Sequence, residues 1–346
     1  MNHYMVLKKK DFNAFIEKLS KKMKVAAPVR KGVKNFAFEE VTRGDAISRV
    51  SLPTILPPKK YFMPQRETIQ TFDRAVPRWN SVVSENDAIV IFGVHTCDLS
   101  GIQFLNAVMG TPPKDANYLA RKANITVIGL ECNDYCDAYA SCKAMKTHLP
   151  SGGYDLFFTD IGDAFMVQTG SAAGETLAQE TGFFTTADTG EQKKLKDIRT
   201  QKEKIFKDEI SVKHADLRTV FEKTVQSEVW EDIGSRCVAC GNCTNVCPTC
   251  YCFDIQDEID LNLRTGRRVR VWDGCQNEEF AKVAGGENFR RKRGQRQRHR
   301  YMRKFAYPME KYGTYACTGC GRCTRTCMAK ISLKETIHAL GEEAKS

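Results

Sequence analysis

Several common signatures are missing from this sequence of 346 residues. No stretch approaches the ~20 consecutive apolar residues of a membrane-spanning helix, and the longest apolar runs are Ala88–Val94 and Ile125–Leu130. The opening residues, MNHYMVLKKKDF, turn polar at once and carry no secretory signal. We therefore expect a cytoplasmic protein that makes no contact with a membrane.

Nucleotide-binding and hydrolytic motifs are also absent. The chain has no glycine-rich dinucleotide fingerprint after a strand, no GxxxxGKS or GxxxxGKT loop and no HExxH pair. It also lacks the paired nickel-binding CxxC motifs of a hydrogenase large subunit. Because no substrate motif is visible, we expect the sites that act on substrates to lie on other chains.

Cysteine, in contrast, is abundant, with fifteen residues in a chain for which export is not expected. Reduced thiols, rather than disulfides, are typical of that setting. Eight of them form two copies of the pattern C-x2-C-x2-C-x3-C, in RCVACGNCTNVCP and in ACTGCGRCTRTCM. The first copy contains Cys237, Cys240, Cys243 and Cys247, and the second contains Cys317, Cys320, Cys323 and Cys327.

This spacing is typical of a bacterial-type 4Fe-4S ligand run, in which three cysteines bind one cluster and the fourth binds its neighbour. A structural zinc site uses two CxxC pairs, so a third cysteine at this spacing would be surplus. We predict two 4Fe-4S clusters, and Met328 in place of the usual proline after the fourth cysteine alters only the exit turn. The expected ligands are Cys237, Cys240, Cys243 and Cys327 for one cluster, and Cys317, Cys320, Cys323 and Cys247 for the other.

Four further cysteines lie in the N-terminal part of the chain: Cys97, Cys132, Cys136 and Cys142. Two of them directly follow the apolar runs, which read as buried strands. If these strands are parallel neighbours, their loops emerge at the same sheet edge, where ligands bind in α/β folds. A third cluster is one interpretation, and buried or free thiols are the other. His95 is a further candidate ligand, although a histidine beside a strand end also serves as a structural hydrogen-bonding group.

The last three cysteines surround the first motif, in CPTCYCFD and VWDGC: Cys250, Cys252 and Cys275. We interpret them as packing beside a cluster, and the alternative is an additional site or an exchange of ligands. Three aromatic residues nearby are expected to shield a cluster from water and so to tune its potential. They are Tyr251, Phe253 and Trp272.

A formal net charge of +11 would ordinarily suggest nucleic-acid binding. Each oxidised cluster with four thiolates adds about −2, so two clusters leave roughly +7 and three leave roughly +5. The densest basic run, Phe289–Lys304, lies between the two cysteine motifs. We interpret this run as a contact to a cluster or to an acidic partner subunit, with Tyr301 and Phe305 on the packed face of a helix. A solvated basic face and nucleic-acid binding remain the alternatives.

The pattern of apolar residues predicts two domains. Residues 1–230 are expected to form a mixed α/β domain, with strands at Ala88–Val94 and Ile125–Leu130 around a helix at Leu99–Met109. A hairpin is expected at Tyr154–Phe158 and Ala164–Val167, and a helix is expected to begin within Thr68–Arg74. Surface helices are expected over Thr185–Glu231. Residues 231–346 are expected to form an α-helical ferredoxin-type dicluster module.

Several segments together resemble a known family: RCVACGNCTNVCPTCYCFDIQDEIDL, GRRVRVWDGCQNEEFAKVAGGENFR, RHRYMRKF and YACTGCGRC. They are similar to the β subunit of cytoplasmic sulfhydrogenases, whose relatives include the iron–sulfur dicluster subunit of anaerobic sulfite reductase. The family also includes iron–sulfur subunits of flavin oxidoreductases linked to heterodisulfide-reductase-like complexes. GVHTCDL and GGYDLFFTDIGDAF resemble its N-terminal domain. The surroundings of Cys136, at Asp134–Tyr135, depart from the family pattern.

The resemblance implies a hetero-oligomer with a flavoprotein subunit that binds FAD and NAD(P)H, and with a further redox subunit. It also implies an additional N-terminal cluster. We therefore predict an electron-transfer subunit of an anaerobic oxidoreductase complex, with no catalytic residues of its own. Two alternatives are a stand-alone iron–sulfur redox enzyme and a cluster-bearing nucleic-acid-binding protein.

Overall fold

The computed structural model describes residues 4–76, 78–83, 87–207 and 210–345. Within these ranges, no helix is both long enough and apolar enough to cross a membrane. The strands, in chain order, are β1 (Tyr4–Lys8), β2 (Lys24–Arg30), β3 (Phe36–Glu40), β4 (Arg66–Asp73), β5 (Arg78–Ser81), β6 (Ile89–Val94), β7 (Ile125–Leu130), β8 (Leu156–Asp160), β9 (Ala164–Thr169), β10 (Thr185–Thr186), β11 (Phe253–Ile259) and β12 (Thr265–Trp272).

Helices alternate with these strands in the N-terminal part and dominate the C-terminal part. They are α1 (Phe12–Ser20), α2 (Lys59–Phe62), α3 (Thr96–Gly110), α4 (Ala116–Ala123), α5 (Ala172–Thr181), α6 (Thr189–Ile205), α7 (Leu217–Lys223), α8 (Val229–Arg236), α9 (Asn242–Asn245), α10 (Arg293–Phe305), α11 (Tyr307–Tyr312), α12 (Arg322–Arg325) and α13 (Leu333–Glu343). Short 3-10 turns lie at Lys9–Asp11, Gly44–Ala46, His214–Asp216 and Glu279–Ala281.

The N-terminal part is built on one large mixed sheet with the strand order β10-β1-β9-β8-β7-β6-β2-β3. Strands β2, β6, β7 and β8 run parallel, and β8 and β9 form an antiparallel hairpin. The predicted βαβ unit is confirmed, because α3 connects the parallel neighbours β6 and β7. The strands are apolar along their length because helices cover them, as in other parallel sheets.

A second sheet, of order β11-β12-β4-β5, joins distant parts of the sequence. The expectation of a helix beginning within Thr68–Arg74 is wrong, because these residues belong to β4 and pair with β12. The alternating sequence RETIQTFD suits a strand. Its partner strand, β12, lies far along the chain, so local sequence patterns do not predict the pairing. A buried ion pair crosses this sheet, since Arg270 donates to Glu67 at 2.7 Å.

Helices of the C-terminal part enclose a separate hydrophobic core. Phe221 of α7 stacks on Phe305 of α10 with ring centroids 4.7 Å apart, and Trp230 of α8 packs against Tyr301. Tyr301 and Phe305 are therefore on the packed face of α10, as the sequence predicts. The mixed α/β N-terminal part and the helical C-terminal part confirm the predicted fold class. The boundary between residues 230 and 231 stays a prediction, and Phe221 of the helical core precedes it.

Candidate functional site

Both cysteine motifs fold in the same local way. In the first motif, Ala239 and Gly241 adopt positive φ angles of 53° and 75°, and the short helix α9 follows. In the second, Gly319 and Gly321 have φ angles of 66° and 72°, and α12 follows. Gly321 is also confined sterically, since an added Cβ would lie 2.7 Å from the backbone of Tyr139. The two motifs therefore share the same backbone turn before their short helices.

The first cavity, of about 400 Å³, opens beside the first motif. Gln297 of α10 donates a hydrogen bond to Cys237 Sγ at 3.0 Å, and Gln276 accepts another from Gln297 at 3.1 Å. The backbone N–H of Ala239 also points to Cys237 Sγ, at 3.4 Å. The cysteines that line this cavity are Cys237, Cys240, Cys243, Cys323 and Cys327.

The second cavity, of about 470 Å³, adjoins the first and reaches the N-terminal part of the chain. Tyr139 and Ser141 form part of its wall. Ser141 donates its backbone N–H to the carbonyl of Gly319 at 2.8 Å, which fixes the N-terminal segment against the second motif. The cysteines that line this cavity are Cys243, Cys247, Cys317, Cys320 and Cys323.

Each cavity thus contains cysteines from both motifs. Cys327 reaches the cavity of the first motif, and Cys247 reaches that of the second, although about eighty residues separate the two runs. Thiolates at such spacing are the donor set that an iron–sulfur cluster requires. The residues present therefore fit two clusters with exchanged fourth ligands.

Basic side chains from α10 are buried beside these cysteines. Arg300 lines both cavities and is only 7% exposed. Burial by itself lowers the pKa of Arg300, but the sulfurs of Cys243 and Cys323 outweigh it and hold the pKa well above its ordinary value. Lys304 lines the second cavity and donates to Thr249 Oγ1 at 2.8 Å. Part of the basic run therefore faces the cysteines instead of solvent.

The N-terminal cysteines lie at the edge where β6 and β7 end, as expected for parallel neighbours. Burial raises the pKa of Cys142 to about 12, and the neighbouring Cys136 adds to the rise. Burial likewise raises the pKa of Cys132, with smaller contributions from Cys136 and Cys142. Cys97 is buried as well, and it interacts electrostatically with Cys132 and with Cys320 of the second motif. Electrostatic contacts therefore link Cys132 to Cys97, Cys136 and Cys142, and they link Cys97 and Cys142 to Cys320 of the second motif.

His95 hydrogen-bonds to the backbone of Val50. It occupies the N-cap position of α3 and is buried. Burial lowers its pKa to about 4, so the ring is neutral at physiological pH. This environment matches the structural alternative considered for this residue.

The three cysteines around the first motif line a further cavity of about 400 Å³. Cys275 is buried, and Cys250 shares a side-chain hydrogen bond with Cys247 of the first motif. Tyr251 also lines the cavity, and the Trp272 indole donates to the carbonyl of Met63 at 3.1 Å.

Some residues at these cavities carry no sequence signal. Gln276 and Gln297 are ordinary polar residues in the sequence, and only the fold brings them to Cys237. The same holds for Lys59, whose ammonium donates to the Cys250 carbonyl at 2.9 Å. Across the described part of the chain, no three His, Cys, Asp or Glu side chains are arranged to hold a single metal ion.

The architecture and the paired cysteine motifs define an iron–sulfur protein of the dicluster type, and residues 236–331 match the family model of the 4Fe-4S dicluster domain. Over 342 residues, 98% of each chain, the sequence is 33% identical to sulfhydrogenase 2 subunit beta of Pyrococcus furiosus. The chain therefore belongs to the family of sulfhydrogenase β subunits, and the resemblance seen in the sequence is confirmed.

Proposed function

We propose that this chain is the iron–sulfur electron-transfer subunit of a cytoplasmic, sulfhydrogenase-like complex that works under anaerobic conditions. It relays single electrons between a flavoprotein subunit, which binds FAD and NAD(P)H, and a further redox subunit. The observation that carries this proposal is the pair of adjoining cavities whose common wall contains Cys243, Cys323 and Arg300. A 4Fe-4S cluster supplies one-electron transfer when it is bound in such a site.

The cysteines that line each cavity support two ligand sets. We assign Cys237, Cys240, Cys243 and Cys327 to one cluster, and Cys317, Cys320, Cys323 and Cys247 to the other. Although Cys243 and Cys323 border both cavities, their own motifs assign them to opposite clusters. Arg300 and Lys304 stabilise the negative charge of the loaded sites, because an opposite charge at close range offsets the cost of burial.

We assign the four N-terminal cysteines to a third cluster, held by Cys97, Cys132, Cys136 and Cys142. Their mutual electrostatic contacts support this assignment. Cys320 of the second motif contributes to the electrostatics of both Cys97 and Cys142. This proximity supports a continuous path for electrons from the third cluster to the two motif clusters. Lys202 is fully buried near Cys132 and Cys142 and provides the positive charge at this site.

Both ends of the proposed electron path approach the surface of the protein. Cys240 is exposed, and Val238 and Met328 beside it are 56% and 69% exposed. At the other end, Cys136 lines an open cleft of about 890 Å³ that also contains Arg49. Two accessible ends suit a subunit that exchanges electrons with one partner on each side. The family relationship supports partners of this kind, because the relative is named as a subunit.

Nucleic acid is not among the proposed partners. The later part of the arginine run that raised this alternative is committed within the fold, with Arg296 only 3% exposed and Arg300 buried at the cysteines, and its exposed part is the short segment Arg291–Arg293. A guanidinium that faces a thiolate cavity is not available to a phosphate backbone.

The test is iron and sulfide analysis, with electron paramagnetic resonance, on the full chain purified without oxygen. We expect about twelve irons per chain from these three sites, and fewer than about eight would contradict even the two-cluster assignment. Cys243→Ala, Cys317→Ala and Cys132→Ala should each remove about four irons. Val238→Ala, an exposed change inside the first motif, is the matched control and should leave the iron content unchanged.

The relay itself is tested in the intact complex. NAD(P)H should reduce the clusters of this chain when the flavoprotein subunit is present, and removal of that subunit should abolish the reduction. Cluster reduction by NAD(P)H with the purified chain alone would instead favour the stand-alone enzyme.

A further inference from the structure

We propose that Cys250, Cys252 and Cys275 hold an additional iron–sulfur cluster, separate from the two motif clusters and from the N-terminal site. These cysteines line a cavity of their own, between α9, the β11–β12 hairpin and α10. A cluster at this position replaces the simpler interpretation in which the three thiols only pack beside the first motif.

The cavity is similar in volume to the two motif cavities. It measures about 400 Å³, compared with about 400 and 470 Å³ for the two motif cavities. Three thiols around a space of this size form a donor set for a cluster with several irons, since each cluster corner takes one cysteine sulfur.

The hairpin β11–β12 explains how cysteines from two segments meet. Phe253 pairs with Trp272 at the end of the hairpin, so the chain before β11 and the chain after β12 leave side by side. The backbone N–H of Asp273 then bonds to the carbonyl of Cys252 at 3.1 Å. Cys252 is thereby held next to the segment that carries Cys275, and Gln276 donates to Cys275 Sγ at 3.6 Å.

The charges around the cavity also favour a cluster. Arg300, Arg303 and Lys304 line the cavity, and Lys59 approaches it from α2 through its bond to the Cys250 carbonyl. Lys59 is only 3% exposed. Arg300 and Lys304 also balance the motif clusters, but the buried Lys59 beside neutral thiols costs free energy unless a further negative group accompanies it. Three thiolates on a cluster supply that negative charge, as each thiol releases its proton to solvent when its sulfur binds iron.

Three cysteines leave one corner of a four-iron cluster without a cysteine ligand. Asp273 and His299 are the oxygen- and nitrogen-bearing candidates on the same cavity wall. Such a corner loses iron more readily than the others, so the site is expected to convert to a three-iron form on mild oxidation. This behaviour distinguishes it from the four-cysteine sites of the two motifs.

The additional site lies beside the proposed path. The contact between Cys247 and Cys250 joins its wall to the second cavity, and Arg300 lines all three cavities. The fifteen cysteines of the chain then fall into four groups: eight in the two motifs, four in the N-terminal site and three here.

The test compares iron, sulfide and zinc contents of the anaerobically purified full chain with those of Cys275→Ala and Cys252→Ala. We expect each variant to lose about three to four irons, with matching sulfide, and to lose the three-iron resonance seen after mild oxidation. Val269→Ala is the control, because it truncates a buried side chain on β12 that does not line the cavity. It should keep the full iron content.

Unchanged iron and sulfide in both folded cysteine variants would overturn the proposal, as would the loss of one zinc per chain in place of irons. If Cys275→Ala fails to fold, the iron, sulfide and zinc contents of Cys252→Ala and Cys250→Ala decide the question. A failure of the motif clusters is recognised separately, because it lowers the iron of the unmodified chain and removes the response to Cys243→Ala.

Discussion

Arg322 of α12 forms a bidentate ion pair with Asp98 of α3, with its two terminal nitrogens at 2.5 and 2.8 Å from the carboxylate oxygens. Both side chains are buried, at 1% and 2% exposure. Arg322 also donates from Nε to the carbonyl of Thr54 at 2.7 Å. Each partner is next to a cysteine in the sequence, since Cys97 precedes Asp98 and Cys323 follows Arg322. The pair therefore connects the N-terminal site to the second motif.

Removal of this arginine is expected to destabilise the protein strongly. In Arg322→Ala, Asp98 stays buried without its counter-ion, which typically costs about 3–5 kcal/mol. We expect the thermal midpoint to fall by on the order of 5–10 °C at a fixed scan rate. Arg43→Ala is the control, because Arg43 pairs with Asp45 at 3.1 Å on the surface. The control should change stability by less than about 0.5 kcal/mol, and equal midpoints for the two variants would contradict the expected role of the buried pair.

The hydrogen bond from Gln297 to Cys237 Sγ, at 3.0 Å, is expected to raise the reduction potential of the cluster that we assign to Cys237. Donors to sulfur favour the reduced, more negative state. Gln297→Leu should therefore lower this potential by on the order of 40 mV, the equivalent of a hydrogen bond worth about 1 kcal/mol.

A redox titration followed by electron paramagnetic resonance measures this shift. Gln256→Leu, on the exposed face of β11, is the control and should leave every potential unchanged. A reduction potential that rises in Gln297→Leu would contradict the expected effect of this hydrogen bond.

The sequence predicts the cysteine groups well because their spacing is itself the chemical signal. The repeat of Cys237–Cys247 in Cys317–Cys327 predicts the proposed ligands, and the strands β6 and β7 are recognised from their apolar runs. The same local information predicts that Cys97 and Cys132 emerge at one sheet edge, because parallel strands end together.

Long-range pairings are the part that the sequence does not reveal. Local patterns favour a helix where strand β4 forms, since its partner β12 is brought to it only by the complete fold. The ion pair of Asp98 with Arg322 and the bond of Lys59 to Cys250 depend on the same association. The cavity around Cys275 is hidden for a related reason, because its thiols are spaced irregularly along the chain and meet only when the hairpin closes.

Lys304 is expected to raise the potential of the cluster in the second cavity. It is buried, and burial alone lowers its pKa, but Cys247 and Cys250 reverse this effect and raise the pKa of Lys304 above its ordinary value. The ammonium is thus charged at neutral pH. Lys304→Met removes this charge and should lower the potential by on the order of 100 mV, provided that the interaction follows an effective dielectric constant near 20.

The matched variants separate charge from packing. Lys304→Arg keeps the positive charge, so the reduction potential of the cluster should stay close to that of the unmodified chain. Lys311→Met removes an exposed lysine of α11 and should leave this reduction potential unchanged. Equal potentials in Lys304→Met and the unmodified chain, measured in the same redox titration, would contradict this role.

Glu131 is expected to anchor the N-terminal site through Lys202. The two fully buried side chains are 3.1 Å apart, and Arg199 lies at 3.1 Å on the other carboxylate oxygen. Burial by itself raises the pKa of Glu131, but Lys202 and Arg199 outweigh it and hold the pKa below its ordinary value. A lowered carboxyl pKa contributes stability that is present above the ordinary value of 4.5 and is lost as the pH falls through the folded value.

Glu131→Gln should therefore destabilise the protein by about 3–5 kcal/mol at pH 7, since Lys202 is left buried without a carboxylate. The difference between variant and unmodified chain should stay constant from about pH 8 to pH 6, because Glu131 remains ionised throughout this range. Thermal midpoints at several pH values, each at one scan rate, check both expectations. Glu180→Gln, which alters an exposed pair with Lys22, is the control and should shift the midpoint very little. A stability difference that shrinks between pH 8 and pH 6 would contradict this expectation, because it would mean that the Glu131 carboxylate takes up a proton within this range.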